Sequence, residues 1–209
     1  RTYPNEFTRE GTLNYEANKW AKRVNPDHDI NIPFTRMLAG STDYHLGGFR
    51  AVTDSAFKVQ YTRPLMLGTR CHMLAMYVVL ESYLGMLCDY PDAYVDQPGF
   101  EFLVTVPTVW DETRVIGGIP GEWVSIARRK GPDWFVGTIT NHRARTERLA
   151  LGFLSDGVYT ADIYGDAPDA ADNPNRISRE RVKVTAADVV VARLAGGGGQ
   201  AIHLTKERR

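Results

Sequence analysis

Two glutamates six residues apart flank a glycine in "TREGTLNYEANKW", Thr8 to Trp20. Carboxylates in such a stretch can gather around a hard cation or a sugar oxygen. On an uninterrupted helix, six positions rotate the side chains by about 240°, so Glu10 and Glu16 would point apart. They converge only if the chain bends between them. Gly11 lowers helical propensity and Asn14 tolerates left-handed backbone, which predicts a loop leading into a short helix at "EANKW". Spacing leaves two readings open: solvated surface charges, or a carboxylate pair around a cation or a sugar oxygen.

A second acidic group, Trp110, Asp111 and Glu112, stands at the end of a strand-like run and is followed by Thr113 and Arg114. A strand-end carboxylate suits catalysis in a barrel, and Glu112 beside Arg114 equally suits a structural ion pair. The five histidines, His28, His45, His72, His142 and His203, include no pair at a helical metal-ligand spacing, which disfavours zinc. There is no G-x-S-x-G, no phosphate-cradling glycine loop and no C-x-x-C. Tyr3, Tyr15, Trp20, Tyr44 and Trp110 supply rings that could stack on sugar faces or serve as core anchors.

These residues need elements to hold them. "INIPFTRML", Ile30 to Leu38, reads as a short buried strand entering the turn-rich "AGSTDYHLGG" that carries Asp43 and His45. Thr69 to Cys88 reads as one long helix, and the β-rich "FEFLVTVPTVWDETRVIGG" follows from Phe100. Strand, helix and strand in that order form an α/β pattern. "GGIPG", Gly117 to Gly121, marks a boundary, giving an α/β unit over 1–118 and an all-β unit over 119–209. Seven strand-like segments lie beyond it: "EWVSIARR", "DWFVGTIT", "RTERLALGF", "GVYTADIYGD", "ISRERVKVT", "DVVVARLA" and "QAIHLTK". At this spacing they predict an antiparallel sandwich-like sheet, with "GGGG" at Gly196 to Gly199 as a tight connection.

The chain's 209 residues, 43% of them hydrophobic, are enough for a packed core. The 25 basic and 25 acidic residues balance, and no basic block follows a phosphate backbone, so nucleic acid is not an expected partner. The most apolar run, Met73 to Leu80, is followed by Glu81 and falls far short of the roughly 20 residues of a membrane span, so no membrane partner is expected. Cys71 and Cys88, if both lie in one continuous helix, are about 25 Å apart and cannot bridge. The sequence opens at Arg1 in "RTYPN" without an initiator Met or a signal peptide, as a fragment or a processed product would.

Six strings then agree in order: "RTYPN", "TREG…YEANKW", "IPFTRMLAG…DY", "VPTVWDETRVIGGIPGEWVSIARRKGPDWFVGTIT", "YTADIYGDAPDA" and "LAGGGGQAIHL". Together they closely resemble the C-terminal part of glycoside hydrolase family 97, over essentially the whole chain. The resemblance implies the last strands of a (β/α)8 TIM barrel followed by an antiparallel β-domain. It implies an exo-acting α-glucosidase or α-galactosidase that depends on calcium and acts on oligosaccharides with a terminal α-linked glucose or galactose. Glu10 falls at a calcium ligand, and Glu16 at the general acid that also belongs to the calcium site.

The second catalytic group of that family lies upstream of Arg1: a base Glu just before "RTYPN" in the inverting branch, an Asp from an earlier strand in the retaining branch. The resemblance therefore predicts an inactive fragment, with self-association through exposed barrel edges, and export to the periplasm or outside the cell. The sequence departs from the family at Leu13-Asn14, where Arg-Gly is usual, and at "DYHLGGF", where "DYTPGAF" is usual. The alternative is a non-catalytic carbohydrate-binding or assembly module.

Overall fold

A computed structural model describes residue 5 and residues 8–46 and 48–207. Tyr3 and most of "RTYPN" lie outside the described residues.

The N-terminal part is built from short pieces. A 3₁₀ turn at Tyr15–Lys19 precedes α1 (Pro26–Asp29), which has Asn25 as its cap and Pro26 at its first position. Ile30 to Leu38 is not the expected strand. It forms two 3₁₀ turns, Ile32–Phe34 and Arg36–Ala39. Pro33 has no N–H to give a ladder but starts a helical turn at no cost. Next come β1 (Tyr44–Leu46), β2 (Ala51–Val52), β3 (Met66–Leu67), α2 (Arg70–Val79) and β4 (Gly85–Leu87). β1 pairs in parallel with β4, and β2 in parallel with β3.

The expected helix to Cys88 stops at Val79. Leu80 is already extended, and the chain turns into β4, whose partner β1 satisfies its backbone. Cys88 therefore lies beyond that strand, and both cysteines are free thiols. Phe100 to Val109 also differs from expectation. Gly99, at φ +94°, opens α3 (Phe100–Leu103), and the Glu101 carboxylate accepts the Gly99 N–H at 3.0 Å. Only from Glu112 does the chain extend.

There β5 (Glu112–Ile119) begins, followed by β6 (Trp123–Lys130), β7 (Asp133–Thr140), β8 (Arg145–Ala150), β9 (Tyr159–Asp166), β10 (Ile177–Val184), β11 (Val189–Leu194) and β12 (Gly199–Lys206). β6 to β12 are the seven predicted strands. Six strands make one sheet in the order β10-β9-β12-β7-β6-β5, antiparallel throughout, and β8 pairs with β11 as a second layer. The predicted sandwich is thus unequal, with one layer reduced to two strands. β5 spans the position of the expected 118/119 boundary.

The large sheet is covered on both faces, because residues alternate across it. Val124, Ile126, Phe135, Ile139 and Ala201 face α2 and the N-terminal elements. Ala127, Trp134, Val136, Ile202 and Leu204 face β8 and β11. In α2 every residue but Tyr77 is buried, as suits a helix pressed between a sheet and the rest of the chain. Gly137 allows this approach: a Cβ there would stand 2.4 Å from the Ala75 carbonyl oxygen. The helix is fixed at its C-terminal end by Arg128 of β6, which donates to the carbonyls of Val78 (2.6 Å) and Val79 (3.3 Å).

Candidate functional site

The bend between the two glutamates is present, and Gly11 makes it at φ +82°. Asn14 does not take left-handed backbone. Its φ is −119°, and it caps the 3₁₀ turn, its side-chain oxygen accepting the Glu16 N–H at 2.9 Å. Extended backbone suits Asn, so the conformation at this position does not call for glycine. The other side of the loop is held by Arg36, whose guanidinium donates to the carbonyls of Arg9 (2.9 Å) and Glu10 (2.6 Å).

Asn14 also ties the Glu10 carboxylate to the backbone of Glu16. Its amide nitrogen is 3.4 Å from Glu10 Oε1 while its oxygen caps Glu16. The carboxylates themselves face different partners. Glu10 is exposed, whereas Glu16 lies 3.4 Å from Lys19 Nζ through one oxygen and 3.4 Å from His45 Nδ1 through the other. Glu16, Lys19 and His45 line a cleft of about 400 Å³, with Tyr61, Arg63 and Tyr90 among the other walls.

Behind the cleft lies a buried polar cluster. The Asp29 carboxylate is wholly inaccessible and accepts hydrogen bonds from Tyr15 Oη (2.7 Å) and Tyr44 Oη (2.5 Å), one on each oxygen. Burial, reinforced by the Asp29 charge, pushes both phenols well above their ordinary range, so they stay protonated donors. The rings meet edge to face at 6.0 Å. His72 Nε2 is 3.3 Å from the same carboxylate without hydrogen-bond alignment. Its Nδ1 lies 3.2 Å from the Gly198 carbonyl, an acceptor only, so that nitrogen carries a proton.

The other candidates lie elsewhere. Asp111 bonds the Gly131 N–H and Lys130, Glu112 bonds Arg129 and Arg114, and both carboxyls are held below their usual range chiefly by those hydrogen bonds. They fasten the β5–β6 edge to the β6–β7 turn. Trp110 packs on Phe135 at 5.5 Å in the sheet core, away from the cleft. Trp20 is exposed beside Tyr61, ring centroids 6.3 Å apart. His142 pairs with Asp27 and His203 with Asp133, each at 2.9 Å. The departures in "DYHLGGF" are accommodated: His45 faces Glu16, and Gly48 leaves the space that Met66 fills, where a Cβ would stand 1.9 Å from its sulfur.

Calcium takes six to eight oxygens at about 2.3–2.6 Å. Glu10, Asn14 and Glu16 offer oxygens of the right hardness on either side of the Gly11 bend. Among the described residues, however, no three His, Cys, Asp or Glu side chains gather as a metal cluster. This set fits calcium in type and falls short of a full shell in number among the described residues.

Comparison with known proteins decides the relationship. Residues 109–205 match the family described as glycosyl-hydrolase 97 C-terminal, oligomerisation. A retaining alpha-galactosidase of Bacteroides thetaiotaomicron is 37% identical over 98% of this chain. The chain resembles the C-terminal part of glycoside hydrolase family 97. A probable retaining alpha-galactosidase of Streptomyces bingchenggensis is 33% identical over 86% of it. A family 97 enzyme from Pseudoalteromonas sp. strain K8, solved in complex with acarbose, superposes over the whole chain with a TM-score of 0.89 at 35% identity. The family 97 likeness extends through the N-terminal elements as well as the β-domain. The chain spans 31% and 26% of the two curated relatives and 33% of the solved enzyme.

His45 and Asp29 are the residues that sequence reasoning passed over. His45 stood out only as a member of a turn-rich loop. Asp29 gave no signal, because its partners are 14, 15 and 43 residues away in the chain.

Proposed function

We propose that this chain is the C-terminal portion of an exo-acting α-glycosidase of family 97, hydrolysing terminal α-linked galactose or glucose with Glu16 as general acid. The observation that carries this reading is the placement of Glu16: half-exposed at the wall of a cleft, with its turn capped and its carboxylate flanked by Lys19 and His45. A carboxyl so placed can deliver a proton to a departing glycosidic oxygen. The parallel pairs β1-β4 and β2-β3, with α2 between β3 and β4, support reading the first half as the closing strands of a (β/α)8 barrel. The retaining alpha-galactosidases among its relatives favour galactose and retention. Calcium, when bound, would supply a positive charge that orients the substrate, with Glu10 and Glu16 as two of its ligands and the rest contributed from outside this segment. Export to the periplasm or beyond belongs to the same reading.

In the complete enzyme, Glu16→Gln is expected to lower turnover of an unactivated α-galactoside by about 10²–10⁴-fold while substrate still binds. Unchanged turnover would refute the acid role. The 209-residue chain alone is expected to give no turnover with calcium present. Chelator-sensitive hydrolysis by it would overturn the view that upstream residues are indispensable.

The β-domain supports a second reading, an assembly module. Its family is described by oligomerisation, and the β5 edge of the sheet leaves Val115 72% exposed. Val115→Lys in the complete enzyme should reduce its oligomeric mass in light scattering, and an unchanged mass would remove β5 from the interface.

A further inference from the structure

The two residues that meet at the cleft, Glu16 and His45, each follow directly after a tyrosine that donates to the same buried carboxylate. We propose that Asp29 is a positioning residue that fixes the Glu16 side chain for proton delivery by anchoring Tyr15 and Tyr44 on its two oxygens. The proposal rests on the reading of Glu16 as general acid.

The geometry supports it in three steps. Consecutive Cα atoms are about 3.8 Å apart, so a tyrosine whose ring and hydroxyl are both fixed leaves its neighbour little freedom. Tyr15 and Tyr44 are fixed in this way: both rings are buried, they contact one another edge to face, and each hydroxyl ends on Asp29. A fully buried carboxylate without donors is costly, so the charge-assisted bond to Asp29 at 2.7 Å is favoured for Tyr15 over the Leu67 carbonyl at 3.1 Å, and both tyrosine bonds resist displacement. The Glu16 turn and β1, distant in sequence, are thereby held to one point.

Asp29 itself is held from behind. It closes α1, whose cap Asn25 accepts the His28 N–H at 2.9 Å, and His28 Nε2 stands 2.7 Å from the Leu13 carbonyl in the loop before Glu16. His72 spans from the Asp29 carboxylate to the Gly198 carbonyl in the connection between β11 and β12. Through His72 the β-domain abuts Asp29, with Nδ1 at the Gly198 carbonyl and Nε2 in a 3.3 Å contact with the carboxylate that is not an aligned hydrogen bond. Misplacement of a reacting group by about 1 Å can cost 10²-fold in rate, so a modest loosening of this anchor should be measurable.

The test compares leaving groups in the complete enzyme. Proton delivery matters for a poor leaving group, such as a second sugar, and hardly at all for an activated one, such as dinitrophenolate. Tyr15→Phe combined with Tyr44→Phe retains the rings and removes both bonds to Asp29. Its kcat/KM, which reports the step that expels the leaving group, should fall by about 10–100-fold on an α-linked disaccharide and by less than about 3-fold on the dinitrophenyl α-glycoside. Asp29→Asn should show the same selectivity, and the Phe pair decides the matter if Asp29→Asn does not fold.

Equal losses on both substrates, or none on either, would overturn the proposal, since general loosening of the fold has no leaving-group preference. Glu16→Gln measured alongside distinguishes the two possible failures. If Glu16→Gln is itself unselective, the acid reading falls and the proposal with it. If Glu16→Gln is selective and the tyrosine variants are not, the positioning role alone falls.

Discussion

Gly137→Ala should be among the most damaging single-methyl additions in this chain. The position lies in β7 on the face that meets α2, and an added Cβ would stand 2.4 Å from the Ala75 carbonyl oxygen, 2.9 Å from Val78 Cβ and 3.1 Å from Val79 Cγ2. Two of these contacts are with backbone or Cβ atoms of a buried helix, which cannot move by a rotamer change. The helix must lift off the sheet or β7 must bend. Overpacking of this kind costs about 1–3 kcal/mol, and contact with a fixed carbonyl puts this case at the upper end. Against it, replacing glycine by alanine lowers the entropy of the unfolded chain, a gain of about 0.4–1 kcal/mol. A net loss of about 2 kcal/mol should remain, which for a chain of this size lowers Tm by about 4–8 °C. Urea and thermal unfolding of the 209-residue chain would measure it, with Gly152→Ala as the control, since nothing lies within 4 Å of a Cβ at that position. A Gly137→Ala protein as stable as the parent, or a Gly152→Ala protein equally destabilised, would refute the argument that close helix-to-sheet approach sets the glycine.

Three further outcomes follow from other contacts. Arg128→Met should destabilise by about 2–3 kcal/mol in denaturant unfolding, because it leaves the Val78 and Val79 carbonyls at the buried end of α2 without their donor. Asp162 is bonded by both ends of the Arg181 fork at 2.7 Å, and that bond holds its carboxyl below the usual range. Its stabilising contribution is then complete above the ordinary carboxylate pKa of about 3.9 and lost as the pH falls through the lower folded value. With Arg181 66% exposed, Asp162→Asn should remove only about 0.5–1 kcal/mol at pH 7, and the difference from the parent should vanish toward pH 2. Burial pushes the Cys71 thiol well above its ordinary value, so it should not react with a thiol reagent at pH 8 until the chain is unfolded, whereas Cys88, which lines the cleft, should react slowly in the folded chain because its thiol is pushed up to about 12.

The β-domain was legible because its strands report themselves locally. In "DWFVGTIT" the alternate residues Trp134 and Val136 face one layer while Phe135 and Ile139 face the other, and the turn at Gly131 carries the φ +56° that glycine permits. The first half was less legible because tertiary pairing overrides local preference there. The β-branched run Val104 to Val109 reads as strand, yet Gly99 and Glu101 start a helix ahead of it and the sheet takes up the chain only at Glu112. The site divides in the same way. Glu10 and Glu16 could be singled out in the sequence, and the bend at Gly11 foreseen, because both rest on neighbours within a few residues. The resemblance attached roles to those two residues, but spacing could not reach their surroundings. Glu16 draws His45 from β1 and is steadied by a carboxylate on α1, contacts that exist only once distant segments are packed. A bend that depends on one short turn can therefore be read from a single sequence, whereas the groups that hold such a turn in place become visible only through the fold.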